Sequence, residues 1–379
     1  MSTKSPSVDP LRRVQSTAPT TAVVYCGGNF AKPDGKTANG LVRHSERYEI
    51  VAVIDSAHAG GDAGQVRDGL DNAIPICADL AEAVAVPEAG TPGALIFGVA
   101  PTSGMLSPSE RAVMLDAMAQ GMDLVNGLHE FLTEDPEFVA AAAEHGVSIT
   151  DVRKPRAKKD LHMFTGRIEG VDCPRIAVLG TDSAIGKRTT ATILTKALND
   201  AGIHAVMVST GQTGLIQGGR YGVALDAIPC QFCSGEMEHA VVEAFTNEDP
   251  DVIVIEGQGA LSHPAYLSST FIIRGAQPQA VILQHAPGRD RLGDFDAKPM
   301  PTPASEINLL QTFADTRVIG LTINHENMDD AEVSTAIVAY EAELGIPATD
   351  ALTRPTDRLV EMVTQAFPAL GARDVAATG

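Results

Sequence analysis

Arg175-Ile-Ala-Val-Leu-Gly180-Thr-Asp182-Ser-Ala-Ile-Gly186-Lys187-Arg188-Thr189-Thr190 decides how the rest of the chain is read. An apolar run ends in a glycine, a glycine-bounded loop follows, and a helix is expected to open at Lys187. Such a strand, loop and helix turn backbone N–H groups toward an anion, and the helix N-terminus adds about half a positive charge. Lys187 would supply a mobile point charge for a phosphate. The standard phosphate loop has four residues between its glycines and a Ser or Thr directly after the Lys. Here five residues separate Gly180 from Gly186, and Arg188 stands in the magnesium-ligand position. Gly180, Thr181, Asp182, Gly186, Lys187, Arg188, Thr189 and Thr190 are the candidate phosphate contacts.

Downstream, the helix from Lys187 should run to Asp200 and close at Gly202, with a strand at His204–Ser209. The glycine-rich stretch Thr210–Gly219 reads as a loop approached closely by a ligand, or as a flap. Cys230-Gln-Phe-Cys233 lacks a second ligand pair, so zinc is improbable and two buried or half-buried thiols are expected. Ser234 reads as an N-cap, with Glu236 and Glu238 complementing the helix dipole and Met237, Val241, Ala244 and Phe245 facing inward. Asp251–Glu256 is a buried strand that ends on a carboxylate. A Glu opposite a phosphate loop can hold a metal, order water or accept a proton; capping the following loop is the structural alternative. His263 follows it closely. The strand Gln279–Gln284 leads into a second ligand loop carrying Arg289 and Arg291, and the strand from Thr316 ends on Asn324. Helices near 329–343 and 355–367 close this half.

Upstream, Thr21–Cys26, two glycines, a helix near Lys36–Glu46 and the strand Tyr48–Asp55 follow the order of a dinucleotide-binding βαβ unit. Gly27-Gly28-Asn29-Phe30 does not complete the G-x-G-x-x-G fingerprint, so a Rossmann-like shell without a nicotinamide cofactor is the favoured reading. Gly35-Lys36-Thr37 mimics the end of a phosphate loop, but Phe30 stands where its first glycine should be. Strands are expected at Gly93–Gly98, Asp123–Asn126 and Val147–Asp151, with helices opening at Ser107-Pro108 and Thr133–Pro136. His129 sits in a strand-to-helix loop, where a structural role outweighs a ligand role. The basic run Arg153–Lys159 reads as a solvated linker. The expected layout is a flexible tail at 1–20, a Rossmann-like domain at 21–152, a linker at 153–172 and a P-loop domain at 173–379. The fold class is α/β, with a Rossmann-like domain followed by a P-loop NTPase-like domain on a mostly parallel sheet.

A net charge of -20 opposes nucleic-acid phosphates, so no nucleic-acid partner is expected. The first twenty residues lack an apolar core, and no run approaches membrane-span length. Five scattered cysteines give no disulfide framework, so a reducing cytoplasmic compartment is expected. Small-molecule substrates, a homo-oligomer and no resident metal complete the expectations.

Gly180-Thr-Asp182, Gly186-Lys187 and Glu256-Gly257-x-Gly259 resemble the P-loop group that contains dethiobiotin synthetase. That resemblance implies a phosphate-bearing ligand and a purine-reading part for Asn324. A broader resemblance rests on Gly35-Lys36-Thr37-Ala38-x-Gly40-Leu41-x-Arg43, Asp151-Val152-Arg153-Lys154-Pro155, the Gly180–Thr190 loop, Glu256–Pro264 and Gln284–Arg289. These motifs are similar to those of the D-glutamate N-acetyltransferase family, with a Rossmann-like and a P-loop domain. The resemblance implies acetyl-CoA as co-substrate and a D-amino acid, D-glutamate above all, as acceptor. A P-loop can cradle coenzyme A phosphates without cleaving an anhydride, which makes Arg188 intelligible as an extra cation. Glu256 and His263 are then the candidate bases, and Arg274, Arg289 and Arg291 the candidates for the acceptor's carboxylates. The alternative is an ATP/Mg-dependent ligase or kinase, with Asp182 and Glu256 restoring the metal site.

Overall fold

The computed structural model describes residues 19–86, 90–101 and 103–371. The tail expected at 1–20 lies outside them except for its last two residues. Two compact units divide the chain: one runs up to Lys154 and includes Leu215–Arg220, and the other takes the remainder.

In the first unit, β1 (Thr20–Tyr25), β2 (Tyr48–Ile54), β3 (Ile76–Cys77), β4 (Ala94–Phe97), β5 (Asp123–Asn126) and β6 (Ile149–Asp151) form a parallel sheet ordered β3-β2-β1-β4-β5-β6. This is the doubly wound Rossmann order, with its switch between β1 and β4. The strands are short apolar runs because both faces are covered. Val23, Leu95, Phe97 and Leu124 pack with Met114 and Met118 of α4 and Phe138 of α5. The helices are α1 (Lys36–Arg43), α2 (Ala63–Asp68), α3 (Leu80–Ala85), α4 (Pro108–Ala119) and α5 (Pro136–His145). Ser107 and Glu110 close a reciprocal capping box on α4. Asp135 caps α5, so the helix opens at Pro136, the last residue of the Thr133–Pro136 stretch expected to start it. The weak signals β3, α2 and α3 have no counterpart in the sequence reading.

In the second unit, β7 (Arg175–Gly180), β8 (Ala205–Ser209), β9 (Tyr221–Gly222), β10 (Val252–Glu256), β11 (Ala280–His285), β14 (Arg317–Ile323) and β15 (Ala348–Thr349) are parallel in the order β15-β14-β11-β7-β10-β8-β9. A separate antiparallel hairpin joins β12 (Arg291–Leu292) to β13 (Phe295–Pro299). The helices are α6 (Lys187–Asp200), α8 (Cys230–Glu248), α9 (Ser268–Ala276), α10 (Pro303–Phe313), α11 (Asp330–Leu344), α12 (Asp357–Ala366) and α13 (Pro368–Gly371), while α7 (Gln212–Gln217) starts in this unit and ends in the Leu215–Arg220 segment of the first. One face of β7 and β10 buries Ala177 and Ile255 against α8 and α9; the other buries Val178 and Val254 against α6 and α12. Among the described residues no helix is long and apolar enough to cross a membrane.

Several local expectations are corrected. The stretch Thr210–Gly219 is not all loop, because it contains α7. Ser234 lies inside α8, which opens at Cys230 behind Pro229. Cys230 is therefore exposed in the first turn, while Cys233 is buried, and burial pushes its thiol up to about 12. Glu236 and Glu238 are buried acceptors rather than solvated dipole partners. Glu236 accepts from the His162 N–H at 2.5 Å, and Glu238 from the Thr165 N–H at 2.7 Å, its hydroxyl at 2.9 Å and the Ile168 N–H at 3.2 Å. The stretch after the basic run is thus bound to α8, and Arg153 within the run is buried and donates to the Gly127 carbonyl.

Candidate active site

The carboxyl ends of β7, β10, β11 and β14 carry the site. Gly180 pairs with Gln284 across β7 and β11, and the chain then turns through the loop into α6. The turn into the helix needs Gly186, whose φ of +100° is a conformation that L side chains rarely adopt. Lys187 is only 4% exposed, and its ammonium donates to the Asp182 carbonyl inside the loop. Thr181 is buried with its hydroxyl 2.8 Å from Nδ1 of His285, an imidazole that burial pulls down to about 4. The Thr190 hydroxyl, a candidate phosphate donor, is spent on the Gln284 Oε1 at 2.6 Å, which the Thr322 hydroxyl also reaches. Thr189 and Arg188 lie half-buried in the first turn of α6.

Asp182 is fully buried and holds the loop's own frame. Its carboxylate accepts from the Ser183 N–H at 2.7 Å, the Gly293 N–H at 2.9 Å and Arg289 at 3.3 Å. Arg289 in turn donates to Glu326 at 3.0 and 2.7 Å and to the carbonyls of Ser183 and Ala184, both at 3.4 Å. Its guanidinium therefore braces the phosphate loop rather than projecting toward a substrate. Asn324 does related work, donating to the Ile185 carbonyl at 3.0 Å. Arg291 opens β12 and is exposed. Arg274 is not brought to the site. It stacks on Phe313 at 5.2 Å and shares a hollow with Arg175 and Gln279, at the amino-terminal ends of β7 and β11. The spacing of arginines along a sequence carries no information about which sheet edge they reach.

Glu256 ends β10 beside β7 and is 5% exposed. It accepts from the Thr210 N–H at 3.0 Å, while its backbone carbonyl accepts from the Thr210 hydroxyl at 3.0 Å. Burial pushes its carboxyl up to about 7, against the opposing pull of Arg188, the N–H groups of Thr210 and Gly211, and Lys187. The strand can turn at Gly257 because glycine carries no Cβ; one there would lie 2.0 Å from the Val178 carbonyl. Beyond it, Glu306 of α10 accepts from the Leu261 N–H at 2.6 Å and the Ser262 hydroxyl at 2.6 Å. Sequence reasoning passed over Glu306, because one acid in a helix reads as a solvated face.

That anchored loop presents His263, which is 4% exposed. Its Nδ1 accepts from the N–H groups of Ala265 at 3.2 Å and Tyr266 at 3.3 Å. Its Nε2 has no hydrogen-bond partner among the described residues, and the Asp182 carboxylate lies 3.8 Å away. Tyr266 stacks on the ring at 4.4 Å, and Phe295 of the hairpin tilts against it at 5.7 Å. Burial lowers the His263 pKa, and Lys187 adds to the lowering, while Asp182 and Asp294 oppose it. The hairpin is pinned through Asp294, which accepts from the Tyr266 hydroxyl at 2.8 Å and the Ser183 hydroxyl at 3.0 Å.

A Rossmann-like sheet followed by a P-loop sheet, with a buried lysine, glutamate and histidine at the second sheet's carboxyl edge, defines a two-domain P-loop protein. Family comparison gives the same division: residues 56–155 match the DUF1611_N Rossmann-like domain and residues 162–360 the DUF1611_C P-loop domain, both described as domains of unknown function. The chain belongs to the DUF1611 family. It is 32% identical over 273 residues to a D-glutamate N-acetyltransferase of Tritonibacter scottomollicae, covering 70% of this chain and 80% of that one. A second D-glutamate N-acetyltransferase, from a Pseudoalteromonas species, is 30% identical over 70% of this chain and 79% of its own length. The crystal structure of a DUF1611 family protein from Anabaena variabilis matches with a TM-score of 0.84 and 33% identity, covering 91% of this chain and 99% of that chain.

Proposed function

We propose that this protein transfers the acetyl group of acetyl-CoA to the amine of a D-amino acid, D-glutamate first among them, with the Gly180–Thr190 loop holding the coenzyme A phosphates. The observation that carries this reading is Glu256: a buried carboxylate at the loop's edge, with its pKa near 7, is matched to proton removal at neutral pH. The acceptor arrives as an ammonium ion. Glu256 takes one proton, the amine nitrogen bonds to the thioester carbonyl carbon, the C–S bond breaks, and the departing thiolate takes the nitrogen's second proton. Arg188 supports the transferase over the ATP/Mg alternative, because it places a cation where a phosphate loop otherwise offers a metal ligand. Asp182 supports it too, since its oxygens already serve Ser183, Gly293 and Arg289. Arg291 is the arginine we assign to an acceptor carboxylate. The names of two relatives support D-glutamate as the acceptor.

The test is to incubate the purified full chain with acetyl-CoA and a panel of D- and L-amino acids, following free thiol. Release that requires an amino acid, greatest with D-glutamate, is the expected result. ADP formed from ATP without thiol release would replace this reading with the ligase or kinase. Neither product would leave a binding module.

A further inference from the structure

His263 is buried against Tyr266 and Phe295 and held by two backbone donors, yet its Nε2 makes no hydrogen bond among the described residues. A ring nitrogen that accepts N–H bonds carries no proton, so acceptance at Nδ1 from Ala265 and Tyr266 places the proton of a neutral imidazole on Nε2. That Nε2–H is buried without a hydrogen-bond partner among the described residues. Leaving a buried donor unsatisfied costs stability, and natural structures keep few such groups without a reason. The charged groups facing the ring are Asp182 and Asp294 on one side of the balance and Lys187 on the other. The Asp182 Oδ1 at 3.8 Å lies beyond hydrogen-bond reach and already accepts from the Ser183 N–H. A second proton on Nδ1 would turn that nitrogen against two N–H groups, so the surroundings oppose the imidazolium as well.

We infer that His263 is a fixed hydrogen-bond donor, its Nε2–H reserved for an oxygen of the ligand bound at the phosphate loop, and not a proton acceptor in the reaction. This rests on the acetyl-CoA reading for the identity of the ligand. It withdraws His263 from the pair of candidate bases and leaves that part to Glu256. Tyr266 is a positioning residue: its N–H sets the tautomer, its ring supports the imidazole, and its own phenol, pushed up to about 12 by burial and Asp294, stays protonated to hold the hairpin.

The experiment uses the full chain labelled with nitrogen-15 at histidine. At pH 7 the expected His263 signals are a protonated Nε2 and an unprotonated Nδ1, and coenzyme A should perturb the Nε2–H. His263→Gln, which keeps a donor, should retain coenzyme A affinity and acetyl-CoA turnover within a fewfold. His263→Ala should lose about tenfold to hundredfold in one or the other. Loss of affinity identifies a phosphate oxygen as acceptor, and loss of turnover an acyl oxygen. A proton on Nδ1, a charged ring at pH 7, or an alanine variant that binds and turns over like the parent would overturn the inference. The tautomer is read without any reaction. If the parent shows no acetyl transfer, the functional reading falls while this one is still decided by the resonance measurement.

Discussion

The loop after β1 and the loop after β7 are the same device built twice, and they differ in what fills them. Each joins a buried parallel strand to a helix through glycines, and each has Gly-Lys at the helix start, as Gly35-Lys36 and Gly186-Lys187. In the first, Phe30 is fully buried under the turn, and its N–H donates to Asp55 at 2.8 Å. Asp55, the acid that a ribose would require in a dinucleotide site, also holds the Ala57 N–H and His58. Lys36 is exposed. In the second, the lysine is drawn inside and the His263 Nε2 is left without a hydrogen-bond partner among the described residues. The order of strand, glycines and helix start is kept in both loops. On the proposed reading, the donor left at His263 is what fits the second loop, and not the first, to hold a ligand.

The largest effect that would sharpen this contrast is on turnover. Glu256→Gln should lower acetyl transfer by about 10²–10⁴-fold while coenzyme A affinity changes little. Because a carboxylate base must be ionised, activity in the parent should rise with pH through about 7 and level off above it, and steady-state profiles of the variant should lack that limb. Next comes Phe30→Ala, which should cost about 3–5 kcal/mol in chemical denaturation of the first unit and leave coenzyme A binding unaltered. Tighter or weaker binding in this variant would break the claim that the first loop is filled by protein.

The same glutamate makes a stability prediction. Its folded pKa is raised from the ordinary 4.5 to about 7, so between those values the native state holds a proton that the unfolded chain has released. Stability should therefore fall as pH rises through that window, by roughly 3 kcal/mol from this group. Urea midpoints of parent and Glu256→Gln, compared from pH 4.5 to 8, should diverge by that slope; parallel curves would place the raised pKa elsewhere.

Lys187→Ala should weaken coenzyme A binding about tenfold to hundredfold by calorimetry, and Lys36→Ala should leave it within twofold. Equal effects would erase the difference between the loops. The smallest effect is expected from Arg289→Lys, which keeps the charge but loses the fork that spans Asp182 and Glu326. About 1 kcal/mol of stability and a few-fold loss of affinity should follow.

The frame of the site was legible in sequence because backbone constraints write themselves into residue types. Gly180, Gly186 and Lys187 announce a turn and a helix start, and Ile253–Glu256 announces a buried strand with a charged end. Side-chain commitments were not legible. Arg289, Arg291 and Arg274 look alike in a string, yet one braces a loop, one lies exposed and one faces the opposite sheet edge. Ser234 resembled a cap because Glu236 follows it, whereas Pro229 marks the true start of α8. Two-residue strands such as Tyr221–Gly222 and Ala348–Thr349 are too short for any periodicity.

The hairpin of β12 and β13 offers a way to watch the loop without an assay. The Gly293 amide is tied to Asp182 at 2.9 Å, and β13 is exposed along its whole length. Deuterium uptake at that one amide then reports whether Asp182 still faces the hairpin. A ligand that rearranges the phosphate loop will be recorded there as a change in exchange rate, whether or not it reacts.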